Sequence, residues 1–127
     1  MTLLLAALLL AHALAHLVGF VVPWHLGPVE GMPVRTTILG GRVDVGFAGA
    51  RAVGVLWLVT ALAVAAVAVV LVLRVPWWHR VGLVTLAWSG VLCIVGWPDA
   101  RIGLAVNVAL IGAILAGGRL GWLPGTV

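Results

Sequence analysis

The sequence predicts an all-α bundle of four transmembrane helices with one structured loop between the first two, and three observations support this prediction. Hydrophobic residues make up 65% of the 127 residues and charged residues only 8%, whereas a soluble domain is nearer half apolar. The apolar residues fall into long runs, close to the roughly 20 residues that a helix needs to cross a bilayer. The segments between these runs are rich in proline, tryptophan and arginine, as is typical of membrane interfaces. We therefore expect residues 1–127 to form a single integral membrane domain.

The boundaries of the four predicted spans follow from residues that end or begin helices. The first span covers about 3–22 and ends where proline prevents its continuation. Because no basic segment precedes this run, we expect an uncleaved helix rather than a signal peptide. The second and third spans cover about 50–73 and 81–96. The fourth covers about 100–116, after a Pro-Asp pair suited to a helix start and before two glycines suited to a helix end.

The only long predicted connection, the loop 23–48, contains a hairpin pattern. Two β-prone runs flank Gly40-Gly41, an arrangement that favours a tight turn between antiparallel strands. A connection of this length without regular structure is uncommon unless it acts as a lid or binding loop. Arg42 and Asp44 lie two residues apart on one predicted strand and so share a face. They are candidates for a loop binding site, with a solvated ion pair as the alternative.

The net charge of +4 does not indicate nucleic-acid binding. It comes from arginines alone, which are scattered singly outside the apolar runs and form no phosphate-binding stripe. Arginine beside a span instead contacts lipid headgroups and sets topology. An even number of spans places both termini on one side of the membrane, together with Arg74, Arg80 and Arg119. Because the arginine count in short loops favours that side, we expect both termini to be cytoplasmic.

A polar layer is predicted near the middle of the membrane. His12 and His16 lie one helical turn apart within the first span, so their imidazoles share one helix face. An ionisable side chain at this depth is costly and is by default a candidate functional residue. A rise of about 1.5 Å per residue places one polar side chain from each other span at a similar depth; these are Thr60, Ser89 and Asn107.

Several roles remain open for the two histidines. They could ligate zinc or copper, but Cys93 and Asn107 would complete a metal site poorly, so no cofactor is predicted. They could hold or relay a proton, or grip the polar end of a lipid. They could also hydrogen-bond Ser89, Asn107 or a backbone carbonyl and only hold the bundle together. The sequence favours a binding site over such a structural role, with His12, His16, Ser89 and Asn107 as ligand contacts.

Three segments of the chain carry a resemblance to a known group of proteins. They are the His-x-x-x-His pair of the first span, the segment TTILGGRVD at 36–44, and the segment WPDAR at 97–101 followed by Asn107. In this order they resemble a group of small bacterial four-helix membrane proteins that has no established activity. The resemblance implies a multi-pass protein of the bacterial plasma membrane and no mechanism. It also gives more weight to the Arg42 and Asp44 loop.

The expected function is binding rather than a named reaction. The sequence has no Gly-rich phosphate loop, nucleophile elbow, HExxH motif or paired cysteines, so hydrolase, kinase and dehydrogenase chemistry lack support. We expect a small or lipophilic ligand at His12 and His16, serving transport or an acid–base step on a lipid-soluble substrate. Trp57 and Trp88 would fill the core or form an aromatic wall. The alternatives are an accessory subunit of a larger membrane complex and a small dimeric transporter. A homo-oligomer that carries lipid would favour the ligand-binding hypothesis, and a need for a membrane partner would favour the accessory subunit.

Overall fold

The computed structural model describes residues 1–124 and consists mainly of helices. The helices are α1 (Thr2–His16), α2 (Val18–Val21), α3 (Gly46–Val72), α4 (Trp78–Val95) and α5 (Arg101–Arg119). The first two are nearly continuous and together form one span, so the described chain has four helical segments long and apolar enough to cross a membrane. The predicted all-α bundle of four transmembrane helices is confirmed.

The observed boundaries differ from the predicted ones at four places, one of which is the start of α4 at Trp78 instead of about residue 81. A tight turn at Leu17, whose N–H donates to the carbonyl of Leu14 at 3.1 Å, divides the first span into α1 and α2. Helix α3 begins four residues early because Asp44 Oδ1 accepts a hydrogen bond from the N–H of Gly46 at 2.9 Å. Helix α5 continues through the glycines expected to end it and reaches Arg119, and Leu123 packs closely against Gly117.

The predicted hairpin is present in the loop between α2 and α3. Strand β1 (Thr37–Ile38) pairs antiparallel with β2 (Val43–Asp44), with Thr37 opposite Asp44. Gly40 and Gly41 have φ angles of +68° and +83°, a region that glycine enters without steric cost. The glycine pair therefore lies in the hairpin turn, as the sequence pattern predicts.

The tip of the hairpin is attached to the turn between α4 and α5. The N–H of Leu39 donates to the carbonyl of Val95 at 2.9 Å, and the N–H of Gly40 donates to the carbonyl of Trp97 at 3.0 Å. These main-chain hydrogen bonds fix the loop over the ends of the helices. The loop is consequently part of the folded structure on this side of the bundle, which we call the loop side.

Most of the buried apolar side chains lie in the opposite half of the bundle, near the termini. Helix α1 packs on α3, α3 also packs on α4, and α4 packs on α5. The fully buried large apolar side chains of this half are Leu9, Val64, Val67, Leu71, Trp78, Leu86 and Ile114. In lipid such contacts stabilise the bundle through close packing rather than through exclusion of water. The half near the termini therefore holds most of the hydrophobic core together with a smaller apolar pocket between α1 and α3, whereas the loop-side half holds the cavity described below.

Candidate functional site

The buried polar side chains of the described residues are the five predicted for the polar layer. They are His12, His16, Thr60, Ser89 and Asn107, each at most 5% exposed. Both imidazoles therefore point into the bundle rather than toward lipid. The ring centroids of His12 and His16 lie 4.4 Å apart, with the rings nearly perpendicular.

Hydrogen bonds occupy both ring nitrogens of His16. Nδ1 lies 3.0 Å from the backbone carbonyl of His12, and because a carbonyl only accepts, Nδ1 carries the proton and donates. In the neutral ring Nε2 is then an acceptor. The hydroxyl of Ser89, whose Oγ lies 2.6 Å away, donates to it. This chain of contacts ties α1 to α4.

His12 is held from the opposite helix by Asn107. The amide nitrogen Nδ2 of Asn107 donates to the carbonyl of Gly103 at 3.0 Å, which orients the amide and turns Oδ1 toward His12. His12 Nε2 lies 3.1 Å from this oxygen, so Nε2 carries the proton and donates. In the neutral ring Nδ1 is then an acceptor, and no residue among 1–124 is hydrogen-bonded to it.

Thr60 has the predicted depth but does not join the histidines. Its hydroxyl donates to the carbonyl of Leu56 at 2.7 Å and accepts a hydrogen bond from Nε1 of Trp88 at 3.1 Å. The structure therefore brings together four of the five layer residues. Thr60 instead anchors a tryptophan that is 47% exposed on the outer surface.

A cavity of about 370 Å³ lies between the loop-side halves of the helices, and both histidines line it. This volume is near the lower end of the range found for small-molecule sites. Its lining on the first span extends from His12 to Pro23, which corresponds to about 16 Å at the rise of a helix. Apolar side chains dominate between these ends. The shape and lining suit one elongated, largely apolar molecule with a polar group.

The indole of Trp57 forms an aromatic part of the cavity wall. Its ring lies 5.1 Å from that of His16, in an edge-on arrangement. Glycines allow this position, because a Cβ atom at Gly19 would lie 2.5 Å from Trp57 Cδ2 and one at Gly96 would lie 3.0 Å from Cζ2. The two glycines thus make room for the indole between the first span and α4. Sequence reasoning included Trp57 but missed both glycines.

An ion pair lies at the outer end of the cavity. Nε of Arg35, in the loop, lies 2.9 Å from Oδ2 of Asp99, and both residues belong to the lining. The sequence pattern assigned Asp99 to a helix cap, which is wrong: α5 starts at Arg101 without a side-chain cap hydrogen bond. The sequence signal for this ion pair was that arginines and acidic residues are predicted on the same side of the membrane.

Arg42 and Asp44 lie apart from this cavity. Both are exposed, and neither belongs to its lining. Asp44 instead accepts the hydrogen bond that starts α3. The structure therefore does not bring these two predicted ligand contacts together with His12, His16, Ser89 and Asn107.

The site offers few side chains that could act as ligands of a metal ion. Among residues 1–124, no three histidine, cysteine or acidic side chains lie close enough together to hold one. Cys93 lies next to the site, with its sulfur 3.6 Å from Nδ2 of Asn107. The arrangement is that of a hydrogen-bonded pocket with one free acceptor on His12.

No family model matches the chain, and neither a curated protein nor a solved structure is detectably similar to it. The resemblance drawn from the sequence segments stays a prediction. The geometry of the cavity is accordingly the basis on which a function can be inferred.

Proposed function

We propose that this membrane protein binds one small, lipid-soluble molecule in the cavity, with its polar end at His12. The observation that carries the proposal is an apolar cavity of about 370 Å³ that has imidazoles at its inner end. A mostly apolar pocket with a few convergent polar groups is the usual form of a small-molecule site. Because imidazole can hold or pass a proton, the same site could serve transport or an acid–base step.

The hydrogen-bond network supports a pocket prepared for a ligand. His16 is fixed at both ring nitrogens, by Ser89 and by its own helix. His12 is fixed at Nε2 by Asn107 and offers Nδ1. A site whose polar group is held in place before binding loses less conformational entropy when the ligand binds. The histidines thus combine the predicted structural role with a binding role.

The loop supplies the outer part of the cavity. Met32, Pro33 and Ile38 contribute to the lining together with Arg35, and main-chain hydrogen bonds hold the hairpin on the α4–α5 turn. The ion pair between Arg35 and Asp99 is partly exposed, so it contributes little to stability. We expect the loop to act as the cover of the cavity and to move when a ligand enters.

We further propose that the protein resides in a bacterial plasma membrane with both termini in the cytoplasm, so that the cavity opens on the outer side. Arg74, Arg80 and Arg119 lie at helix ends on the side of the termini, which is the side that positive charge favours as cytoplasmic. Fusion of green fluorescent protein to the C-terminus should give fluorescent cells, and fusion of alkaline phosphatase should give inactive enzyme. The reverse pattern would refute this orientation.

A pair of tryptophan substitutions on α5 tests ligand binding. Val106 lines the cavity, so Val106→Trp should fill part of it. Val108 is 65% exposed on the outer surface, so Val108→Trp adds the same side chain outside the site. Native mass spectrometry of the purified proteins should show a bound small molecule on wild type and on Val108→Trp, and its loss from Val106→Trp.

Two results would overturn the proposal. One is that the bound mass is the same on Val106→Trp as on wild type, which would place the molecule elsewhere. The other is that wild type carries no small molecule and is recovered folded only with a second protein. That second result would favour the accessory-subunit hypothesis instead.

A further inference from the structure

We infer that the ligand's polar end is an uncharged hydrogen-bond donor, as in a long-chain alcohol or an alkylphenol. This inference rests on the proposed function and adds the chemical class of the ligand. It follows from which polar atoms of the cavity remain unpaired. A ligand whose polar end matches the unpaired atom avoids burying a polar group without a partner.

The donors at the inner end of the cavity are already used. The Nδ1–H of His16 is bonded to a carbonyl, and the hydroxyl of Ser89 is bonded to His16. The Nε2–H of His12 is bonded to Asn107. What remains at this end of the cavity is an acceptor, Nδ1 of His12, to which no described residue is hydrogen-bonded. A carbonyl, ether or carboxylate would meet no free N–H or O–H donor there, and the Cys93 thiol in the lining is only a weak donor.

A charged polar end is disfavoured by the position of the charged residues. Arg35 and Asp99, the charged side chains of the lining, pair with each other at the outer end. An ammonium at His12 would have one acceptor and no counter-ion, which is costly at membrane depth. An anionic lipid with its head at Arg35 would instead place its apolar tail against Nδ1 of His12. That arrangement leaves a buried polar atom unpaired.

A series of eight-carbon probes that differ only at the head tests this inference. The full chain, held in an amphipathic polymer rather than detergent, would be mixed with 1-octanol, methyl octyl ether, octanoate or octylamine. Native mass spectrometry would measure the bound fraction against probe concentration. We expect 1-octanol to bind about 3- to 10-fold more tightly than methyl octyl ether, as one hydrogen bond predicts, and octanoate and octylamine to bind more weakly still.

Paired variants assign the preference to His12. The double variant His12→Phe/Asn107→Leu lacks the acceptor Nδ1 of His12 and also lacks the Asn107 amide, which would otherwise lose its hydrogen-bond partner. This variant should bind the alcohol and the ether with equal affinity. A matched control has to leave the cavity lining unchanged, which excludes a variant of His16. The control is therefore Thr60→Val combined with Trp88→Phe, a hydrogen-bonded pair outside the lining, and it should keep the preference for the alcohol.

The outcomes separate the inference from the proposed function. Binding of all four probes to wild type with equal affinity, or a preference for the ether or the anion, would refute the donor assignment and leave the cavity as a binding site. Binding of none of the four would contradict both. The wild-type series gives this answer even where a variant fails to fold.

Discussion

Replacement of Gly19 by alanine should disturb the cavity wall through Trp57. A Cβ at this position would lie 2.5 Å from Cδ2 and 2.8 Å from Cδ1 of the indole. The ring is restricted on two sides, because its far edge faces Gly96, where a Cβ would lie 3.0 Å from Cζ2, and His16 lies beside it; the cavity lies on a further side. The added methyl group must therefore shift the indole or separate the first span from α3.

The size of the effect follows from two opposing terms. Overpacking of a well-packed interior costs about 1–3 kcal/mol. Because Gly19 lies in α2, alanine also regains up to about 1 kcal/mol of helix propensity. We expect a net loss of about 1–2 kcal/mol in the free energy of unfolding. Gly112→Ala is the matched control, since a Cβ there meets nothing within 4 Å, and it should be neutral or slightly stabilising.

Unfolding by sodium dodecyl sulfate, followed by tryptophan emission, would measure these differences. Gly19→Ala should unfold at a lower detergent fraction than wild type, and its folded-state emission should shift because the indole moves. Adding Trp57→Leu to Gly19→Ala should recover part of the loss by removing the ring that clashes, a coupling expected only for residues in contact. Equal stability of Gly19→Ala and Gly112→Ala, with unchanged emission, would refute the proposed contact.

Three further predictions concern the polar groups. A double-mutant cycle of His16→Phe and Ser89→Ala should give a coupling free energy of about 0.6–1.7 kcal/mol, the range for hydrogen bonds in membrane bundles; zero coupling in unfolding titrations would contradict the 2.6 Å contact. Asp99→Ala should lower the free energy of unfolding by less than about 1 kcal/mol, because its ion pair with Arg35 is partly exposed. It should nevertheless increase the rate at which a bound 1-octanol probe exchanges, and an unchanged rate would contradict a covering loop. Cys93 is 0% exposed and lines the cavity, so mass spectrometry should show slow labelling by N-ethylmaleimide in the folded protein and slower labelling with octanol bound. Labelling as fast as in the unfolded chain would contradict the buried position of this thiol.

The polar layer could be predicted because depth in a helix depends only on residue count. Two histidines one turn apart share a face in any helix, and their burial follows from the cost of placing them in lipid. Rotation about each helix axis could not be predicted, because it depends on which neighbours pack on which face. Thr60 shows the difference: its depth was predicted correctly, but it bonds to Trp88 instead of a histidine.

The loop shows the other limit of sequence reasoning. The glycine pair at 40–41 predicted the hairpin because the turn is a local feature. Its attachment to the turn after α4 and the ion pair of Arg35 with Asp99 join residues far apart in sequence. Asp99 also matches a helix-cap pattern, so the local interpretation concealed the tertiary one. The cavity itself depends on glycines at 19 and 96 whose role appears only when Trp57 is placed.

The central claim is that His12 offers the acceptor to which the ligand binds. Nitrogen-15 magic-angle-spinning NMR of histidine-labelled protein in bilayers, with and without 1-octanol, measures it directly, using His12→Phe and His16→Phe to assign the signals. We expect the neutral rings to be opposite tautomers, Nε2–H for His12 and Nδ1–H for His16, and only the Nδ1 signal of His12 to move when octanol binds. Identical tautomers, or a saturating octanol titration that leaves His12 unmoved, would contradict the claim.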